Sequence, residues 1–275
     1  MNNDPWLAAL QAWPAIWLID LLRYVIPAAT VTAALAYLPS AWKRVRCVRE
    51  RQSVAGQWRR EILNSMVTVL IFSAHGAVIY AGVRCGWARI YDEPEALGTA
   101  YLLASGLILL LAHDAWFYWT HRLLHSQALF RRAHRTHHQS VAPTPWAAYS
   151  FAPAEAAIQA VFLPLTLLVL PLHPAVIFTF LAYMIVRNVL GHAGVELLPR
   201  SWLAGWWGRW FTTTLHHDLH HAHGRLNYGL YFTFWDRLCG TEHPDYRRRL
   251  LELAHRTVRR ATLTHPDTAR EPRVR

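Results

Sequence analysis

Histidine is the residue type that stands out here by number and by spacing. The 275-residue chain holds seventeen, and eight of them form three clusters: His121-Arg-Leu-Leu-His125, His134-Arg-Thr-His137-His138 and His217-Asp-Leu-His220-His221. Each cluster contains a pair at i,i+4, and the latter two also a pair at i,i+3. On a helix that spacing puts imidazoles on one face about a turn apart, as metal ligation requires. Imidazole suits zinc, iron, copper and nickel alike, so the spacing indicates a metal site without naming the metal. Eight nitrogens exceed what one tetrahedral zinc needs and fit a pair of iron ions that keep positions open for dioxygen. His192 adds a ninth nitrogen. Glu196 stands i,i+4 from it as a candidate oxygen ligand, although Gly194 between them argues against a helix. His113, eight residues before His121, is expected as a hydrogen-bond partner of a ligand, with ligation the alternative, and His216 has the same two readings. Asp114, Asp218 and Asp236 are read as groups that fix imidazole tautomers or pair with Arg122, Arg225 or Arg237. The isolated His75, His173, His243, His255 and His265 are read as packing or surface residues.

The elements that must position these residues are membrane helices. Hydrophobic residues make up 53% of the chain and charged residues 16%, which excludes disorder and makes an ordinary soluble globule a poor fit. Ile62–Val83 is a run of 22 uncharged residues, the length of a bilayer core of roughly 30 Å. Ile16–Leu38 is a second span; its Asp20 and Arg23 stand i,i+3 and are expected to pair or snorkel, and Pro27 to kink it. Leu97–Ala112 is a third, leading into HDAWFYWTHRLLH, so the histidines begin where the lipid ends. Ala156–Val186 has no formal charge, and Pro171-Leu-His-Pro174 splits it into two halves. The split predicts a hairpin, which returns Gly191 and His192 to the side of His138. The tryptophans of 116–119 and 202–210 read first as an interfacial belt and second as the lining of a lipid channel.

Lys43–Arg60 contains seven Lys or Arg and one acid, Glu50, which places this loop and all histidine clusters on the cytoplasmic side by the positive-inside rule. The net charge of +11 is then explained by basic loops resting against anionic headgroups rather than by nucleic-acid binding. No basic region precedes the first apolar stretch, so a cleaved signal peptide is not expected. Cys47, Cys85 and Cys239 lie too far apart for a disulfide framework or a thiolate metal site. No GxxxxGKS, GxGxxG or GxSxG pattern is present. The expected organisation is a transmembrane region with its basic loop at 1–98, a histidine domain at 99–245 and a basic tail at 246–275, frayed from 256. The Ala-, Arg- and Trp-rich composition points to a bacterial inner membrane.

From His113 to Thr241 the chain resembles the fatty acid hydroxylase and sterol desaturase superfamily of integral membrane di-metal oxygenases. HDAWFYWTHRLLH is similar to the family's opening HxxxH motif, HRTHH to its HxxHH and HHDLHH to its final HxxHH. NYG at Asn227–Gly229 and WDRLCGT at Trp235–Thr241 resemble the segments that follow the last box. The resemblance implies an all-α membrane protein of about four transmembrane helices, the last two a hairpin, with a cytoplasmic cap. It implies two iron ions, with zinc as an alternative occupant, held by His121, His125, His134, His137, His138, His192, His217, His220 and His221. Glu196 stands where some relatives carry a further histidine. Dioxygen is the implied co-substrate. Two electrons would come from a separate carrier of cytochrome b5, ferredoxin or rubredoxin type, since the chain has no HPGG haem motif. Hydroxylation of a fatty acyl chain, sterol-like lipid or carotenoid is the reading that follows, with desaturation at the same site as the alternative. A membrane zinc hydrolase is the competitor of another class, but HRLLH and HDLHH lack the Glu general base of HExxH. A haem- or metal-carrying protein without catalysis is the third; bis-His haem needs ligands on facing helices within the membrane, whereas these cluster at its edge.

Overall fold

A computed structural model describes residues 4–49 and 51–256, so the tail expected beyond residue 256 lies outside the described residues. The order of helices is α1 Pro5–Tyr37, α2 Ser40–Arg46, α3 Gln57–Arg84, α4 Gly98–Leu124, α5 Arg135–His138, α6 Pro153–Ala160, α7 Phe162–Val169, α8 Pro174–Gly191, α9 Arg200–Ala204, α10 Trp207–Trp210, α11 Thr214–His223, α12 Phe234–Leu238 and α13 Tyr246–His255. Among the described residues there is no strand beyond isolated bridges. Four helices, α1, α3, α4 and α8, are long and apolar enough to cross a membrane.

Each span begins and ends for local reasons. Asp4 caps α1 by accepting from the Trp6 N–H at 2.9 Å, and Pro5 opens the first turn, where its missing N–H costs nothing. The helix starts eleven residues before the expected Ile16 and runs through both Pro14 and Pro27, as membrane helices can when neighbours satisfy the freed carbonyls. α1 and α3 pack along each other, joined by Trp13 Nε1 donating to Ser73 Oγ at 3.0 Å. Leu103 and Leu107 on α4 are 69% and 57% exposed, which is what a lipid-facing surface demands.

The hairpin forms as the prolines require, with one difference. Its first half is broken at Val161 into α6 and α7, and only α8 is long enough to span. The turn is tied to the α3–α4 loop: Arg89 N–H donates to Leu167 O and Leu172 N–H to Arg89 O, both at 2.9 Å. The Pro171–Pro174 turn and the Asp92 loop therefore share one end of the bundle, and the histidines lie at the other.

Beyond the histidine end sits a small helical cap. α11 turns Leu215 and Leu219 toward Leu250 and Leu253 of α13, with Leu203 and Val48 completing the cluster. Residues 246–255, assigned from the sequence to the tail, are thus part of the cap. The basic loop also differs from its headgroup reading. Arg46 is buried and bonds the carbonyls of Glu196, at 2.9 Å, and Leu198, while Arg49 donates to His192 O at 3.3 Å. These two cations fasten 192–198 to the loop instead of facing lipid.

The loop that follows the second histidine box is pinned to α3. Glu61 is fully buried; it accepts from Gln57 Nε2 at 2.6 Å and from the N–H and hydroxyl of Thr144, while Gln57 also donates to Ala142 O at 3.0 Å. Glu61→Leu removes the acceptor and leaves buried donors unpaired, a cost of about 2–3 kcal/mol. The expected result is a lower thermal unfolding midpoint in detergent, with a smaller fall for Glu61→Gln; an unchanged midpoint for the leucine variant would refute the anchoring role.

Candidate metal centre

Four elements carry the histidines. At 27 residues, α4 is roughly 40 Å long, longer than a bilayer core, so its last turn carries His121 and His125 past the apolar region. A π-turn at Phe130–His134 leads into α5 and presents His134, His137 and His138. The C-cap of α8 supplies His192. α11, capped by the Thr213 hydroxyl accepting from His216 N–H at 3.2 Å, supplies His217, His220 and His221 on the face opposite its leucines.

These nine side chains meet in two adjoining groups. His121, His125, His134, His138 and His220 form one, and His137, His192, His217 and His221 the other; within each group one nitrogen per ring lies within 4.8 Å of the rest. The hairpin decides this, because it brings His192 Nε2 to 3.4 Å from His137 Nε2. In the first group His125, His138 and His220 form a triangle of Nε2 atoms at 3.0, 3.1 and 3.2 Å, and His121 faces His134 at 3.1 Å. In the second, His217 Nε2 lies 2.9 Å from His192 and 3.1 Å from His221.

Those separations are not read as hydrogen bonds. His121, His220 and His192 direct Nδ1 to the carbonyls of Tyr228, Leu226 and Asn188 at 2.9, 2.8 and 2.7 Å, which assigns the proton to Nδ1 and leaves a bare lone pair on Nε2. His134 Nδ1 lies 2.9 Å from Glu155 Oε2. Several lone pairs then point at one another across a buried space, an arrangement that a cation relieves. Ligands roughly 2.1 Å from one ion at angles of about 90–110° sit roughly 3.0–3.4 Å apart, which matches the spacings here. Burial, reinforced by neighbouring imidazoles, holds His134, His137, His138, His217, His220 and His221 well below the usual histidine range, and burial lowers His192 to about 4. All seven are therefore neutral donors at physiological pH. The donor set fits metal ions.

The remaining sequence candidates do other things. Glu196 does not join either group: its carboxylate accepts from Leu198 N–H at 3.2 Å and from Thr214 N–H at 3.0 Å, at the start of α11. His113 is buried between Phe162 and Phe180, with Nδ1 3.0 Å from the Tyr231 hydroxyl, and contacts no metal-facing nitrogen. Asp114 accepts from the N–H groups of Tyr231 and Phe232 at 3.1 and 3.2 Å. Asp218 lies 3.7 Å from Arg49. His216 turns away from the centre toward Asp236, 3.3 Å away, and the Tyr246 ring.

Asp236 acts one step removed from the metal site. Its two oxygens accept from Tyr228 N–H and Gly229 N–H, both at 2.8 Å, and so freeze the loop whose Tyr228 carbonyl receives His121 Nδ1. Burial alone would raise this carboxyl, but His216 and the two N–H groups more than offset it and leave it below its ordinary value. Asn227 takes a left-handed φ of 58° to make the turn, and a Cβ on Gly229 would lie 2.5 Å from Phe232 O. This explains why NYG and WDRLCGT accompany the last box.

The sequence model of the fatty acid hydroxylase family matches residues 106–241, which span all nine histidines. The chain is 26% identical over 229 residues to a Delta(7)-sterol 5(6)-desaturase of Gibberella zeae, covering 83% of this chain and 68% of the relative. A Delta(7)-sterol 5(6)-desaturase of Aspergillus fumigatus is 28% identical over 247 residues, covering 89% and 68%, and the lathosterol oxidase of Mus musculus 28% over 204, covering 72% and 66%. Over residues 106–241 the chain is similar to the fatty acid hydroxylase family, and its relatives named here are sterol desaturases and a lathosterol oxidase. It spans about two thirds of the length of these superfamily relatives. No solved structure matches it.

Two residues around the histidines were not anticipated from sequence. Glu155 Oε2 lies beside His134 Nδ1, 2.9 Å away; the available signal was a carboxylate immediately before an uncharged 31-residue run. Arg49 occupies the space beside Gly194, where φ is 69° and a Cβ would fall 1.6 Å from its Nη2. Glu155→Ala is expected to weaken metal retention about 10–100-fold with all nine histidines intact, measured as metal content after graded chelator challenge. Gly194→Ala is expected to lower thermal stability more than Gly224→Ala, which meets the same left-handed strain at φ 68° but open space; equal losses would remove the steric role of Arg49.

Proposed function

We propose that this protein oxidises a C–H bond of a membrane lipid at a pair of iron ions, with dioxygen as oxidant and two electrons from a separate carrier. The observation that supports it best is the convergence of nine neutral imidazoles at the end of an apolar cavity of about 310 Å³ walled by the membrane helices. His121, His125, His134, His138 and His220 would hold one ion and His137, His192, His217 and His221 the other, with zinc as the alternative occupant. When bound, the ions supply activation of dioxygen to an oxidant able to remove hydrogen from an unactivated C–H bond.

The chain's own residues do the rest. Carbonyls of Asn188, Leu226 and Tyr228 hold three imidazoles in the metal-binding tautomer. Phe151 lines the cavity, and its ring centroid lies 5.3 Å from that of His137, so it stands between the cavity and the histidines. On this reading residues 99–245 carry the chemistry, while α1 and α3 of the 1–98 region close the cavity around the lipid. Hydroxylation inserts one oxygen atom and releases one water; desaturation removes a second hydrogen and releases two waters, each consuming dioxygen, two electrons and two protons. Hydroxylation is the first reading from sequence. The names of the relatives, sterol desaturase and lathosterol oxidase, favour desaturation of a sterol-like lipid as the second.

A zinc hydrolase has less support, because Glu155 and Glu196, the glutamates beside the histidines, already face His134 and two backbone N–H groups. The positive-inside pattern of 43–60 supports a cytoplasmic histidine face. Composition alone supports a bacterial inner membrane, since the relatives named above are fungal and mammalian.

His137→Ala is expected to insert normally, because the apolar body does not depend on it, while losing bound metal and turnover. Lipids from cells expressing the native chain under air should contain a species gaining one oxygen or losing two hydrogens that the variant lacks. Equal turnover by both proteins would sink the di-metal assignment, and hydrolysis independent of oxygen would reinstate the hydrolase.

A further inference from the structure

The cavity is unevenly polar along its length. From Asn188 to Ile177 it follows eleven residues of α8, roughly 16 Å. Its far half is lined by side chains such as Val83, Ile90, Ile177 and Leu181. The histidine half contains Arg23, Tyr149, Gln159 and Asn188. Arg23 Nη1 donates to the Tyr149 hydroxyl at 3.2 Å, Tyr149 lies 6.2 Å ring to ring from Phe151, and Phe151 touches His137. Gln159 Nε2 donates to Thr120, the neighbour of His121, at 3.1 Å. Of the histidines at mid-depth, His75 is satisfied by Ile71 O and His113 by the Tyr231 hydroxyl.

Among the residues that line the cavity, two buried polar atoms have no hydrogen-bond partner: Arg23 Nε, a donor, and Gln159 Oε1, an acceptor. Unpaired polar atoms in so apolar a space are costly unless something in the cavity complements them. Asp20 Oδ1 lies 2.6 Å from Arg23 Nη2 and balances its charge, so a carboxylate would meet an acid already in place. A hydroxyl, neutral and able both to donate and to accept, complements this end.

We propose that the cavity takes a lipid ending in a neutral hydroxyl, head first, with the hydroxyl at the Arg23 and Gln159 end and the hydrocarbon tail toward Ile177. This rests on the lipid-oxidising reading and deepens it: the carbon attacked lies close to the polar end of the lipid, not at its far terminus.

The full-length protein in phosphatidylcholine nanodiscs provides the test, without turnover. The probes are photoreactive alcohols of two skeletons, octadecan-1-ol and a 3β-hydroxysterol, each with a diazirine near the hydroxyl or near the tail end. Head-end labels should crosslink to 146–160 and tail-end labels to 174–181, saturably and displaced by the unlabelled alcohol. Octadecane and octadecanoate should displace at least about tenfold less well, the worth of one hydrogen bond to a charged group. Arg23→Met and Gln159→Leu should each reduce alcohol affinity by a similar factor while alkane binding stays unchanged. The reversed labelling pattern, carboxylate or alkane binding as tight as alcohol, or no saturable labelling by either skeleton overturns the proposal. Because labelling needs neither metal nor oxygen, its success alongside absent turnover would fault the oxidase reading alone.

Discussion

Nine imidazole lone pairs buried together form the constraint on which the rest of this structure depends. Without a counterion, uncharged rings whose Nε2 atoms lie 2.9–3.4 Å apart repel one another, and protonating them would bury several like charges. Desolvation and mutual proximity hold these rings neutral, and neutral imidazole is the form that binds metal. A cation would make the arrangement favourable, and its binding would then be coupled to folding of the cap.

The surroundings keep the rings aimed. Where Nδ1 is tied, it is tied to backbone carbonyls, and those partners are themselves held: Asn188 Nδ2 donates to Ala148 O at 2.6 Å, and Asp236 fixes the Tyr228 loop. Arg46 and Arg49 bind the loop after α2 to residues 192–198. The first membrane helix is thereby linked through that loop to the second histidine group. A fault in this scaffold would change imidazole orientation even with all nine histidines present.

Membrane burial supplies the complementary half of the chemistry. The helices that carry the histidines out of the apolar region also wall the cavity, so a lipid can approach the centre without crossing water. Exposed leucines on α4 face outward, and Trp202, Trp206 and Trp207 are likewise on the outer surface, 44%, 60% and 43% exposed, in keeping with an interfacial belt rather than a channel lining.

Much of this was legible in the chain itself. Helical spacing of histidines, uncharged runs of membrane length and the proline-flanked turn are local signals, and each depends on residues a few positions apart. They yielded the spans, the hairpin and the set of nine nitrogens that the structure brings together. What lay beyond them depends on residues far apart in sequence. The division of the nitrogens into groups of five and four, the turning of Glu196 to the start of α11, the recruitment of Glu155 and the use of Arg46 and Arg49 as clamps all arise from packing between distant segments. The sequence determined which side chains could serve as ligands, because helical periodicity and hydropathy are written in neighbouring residues. Only the tertiary structure decided which histidines meet in one group and which acids stand aside, because a carboxylate's role is set by whichever donor lies within about 3 Å of it, and no local pattern records that distance.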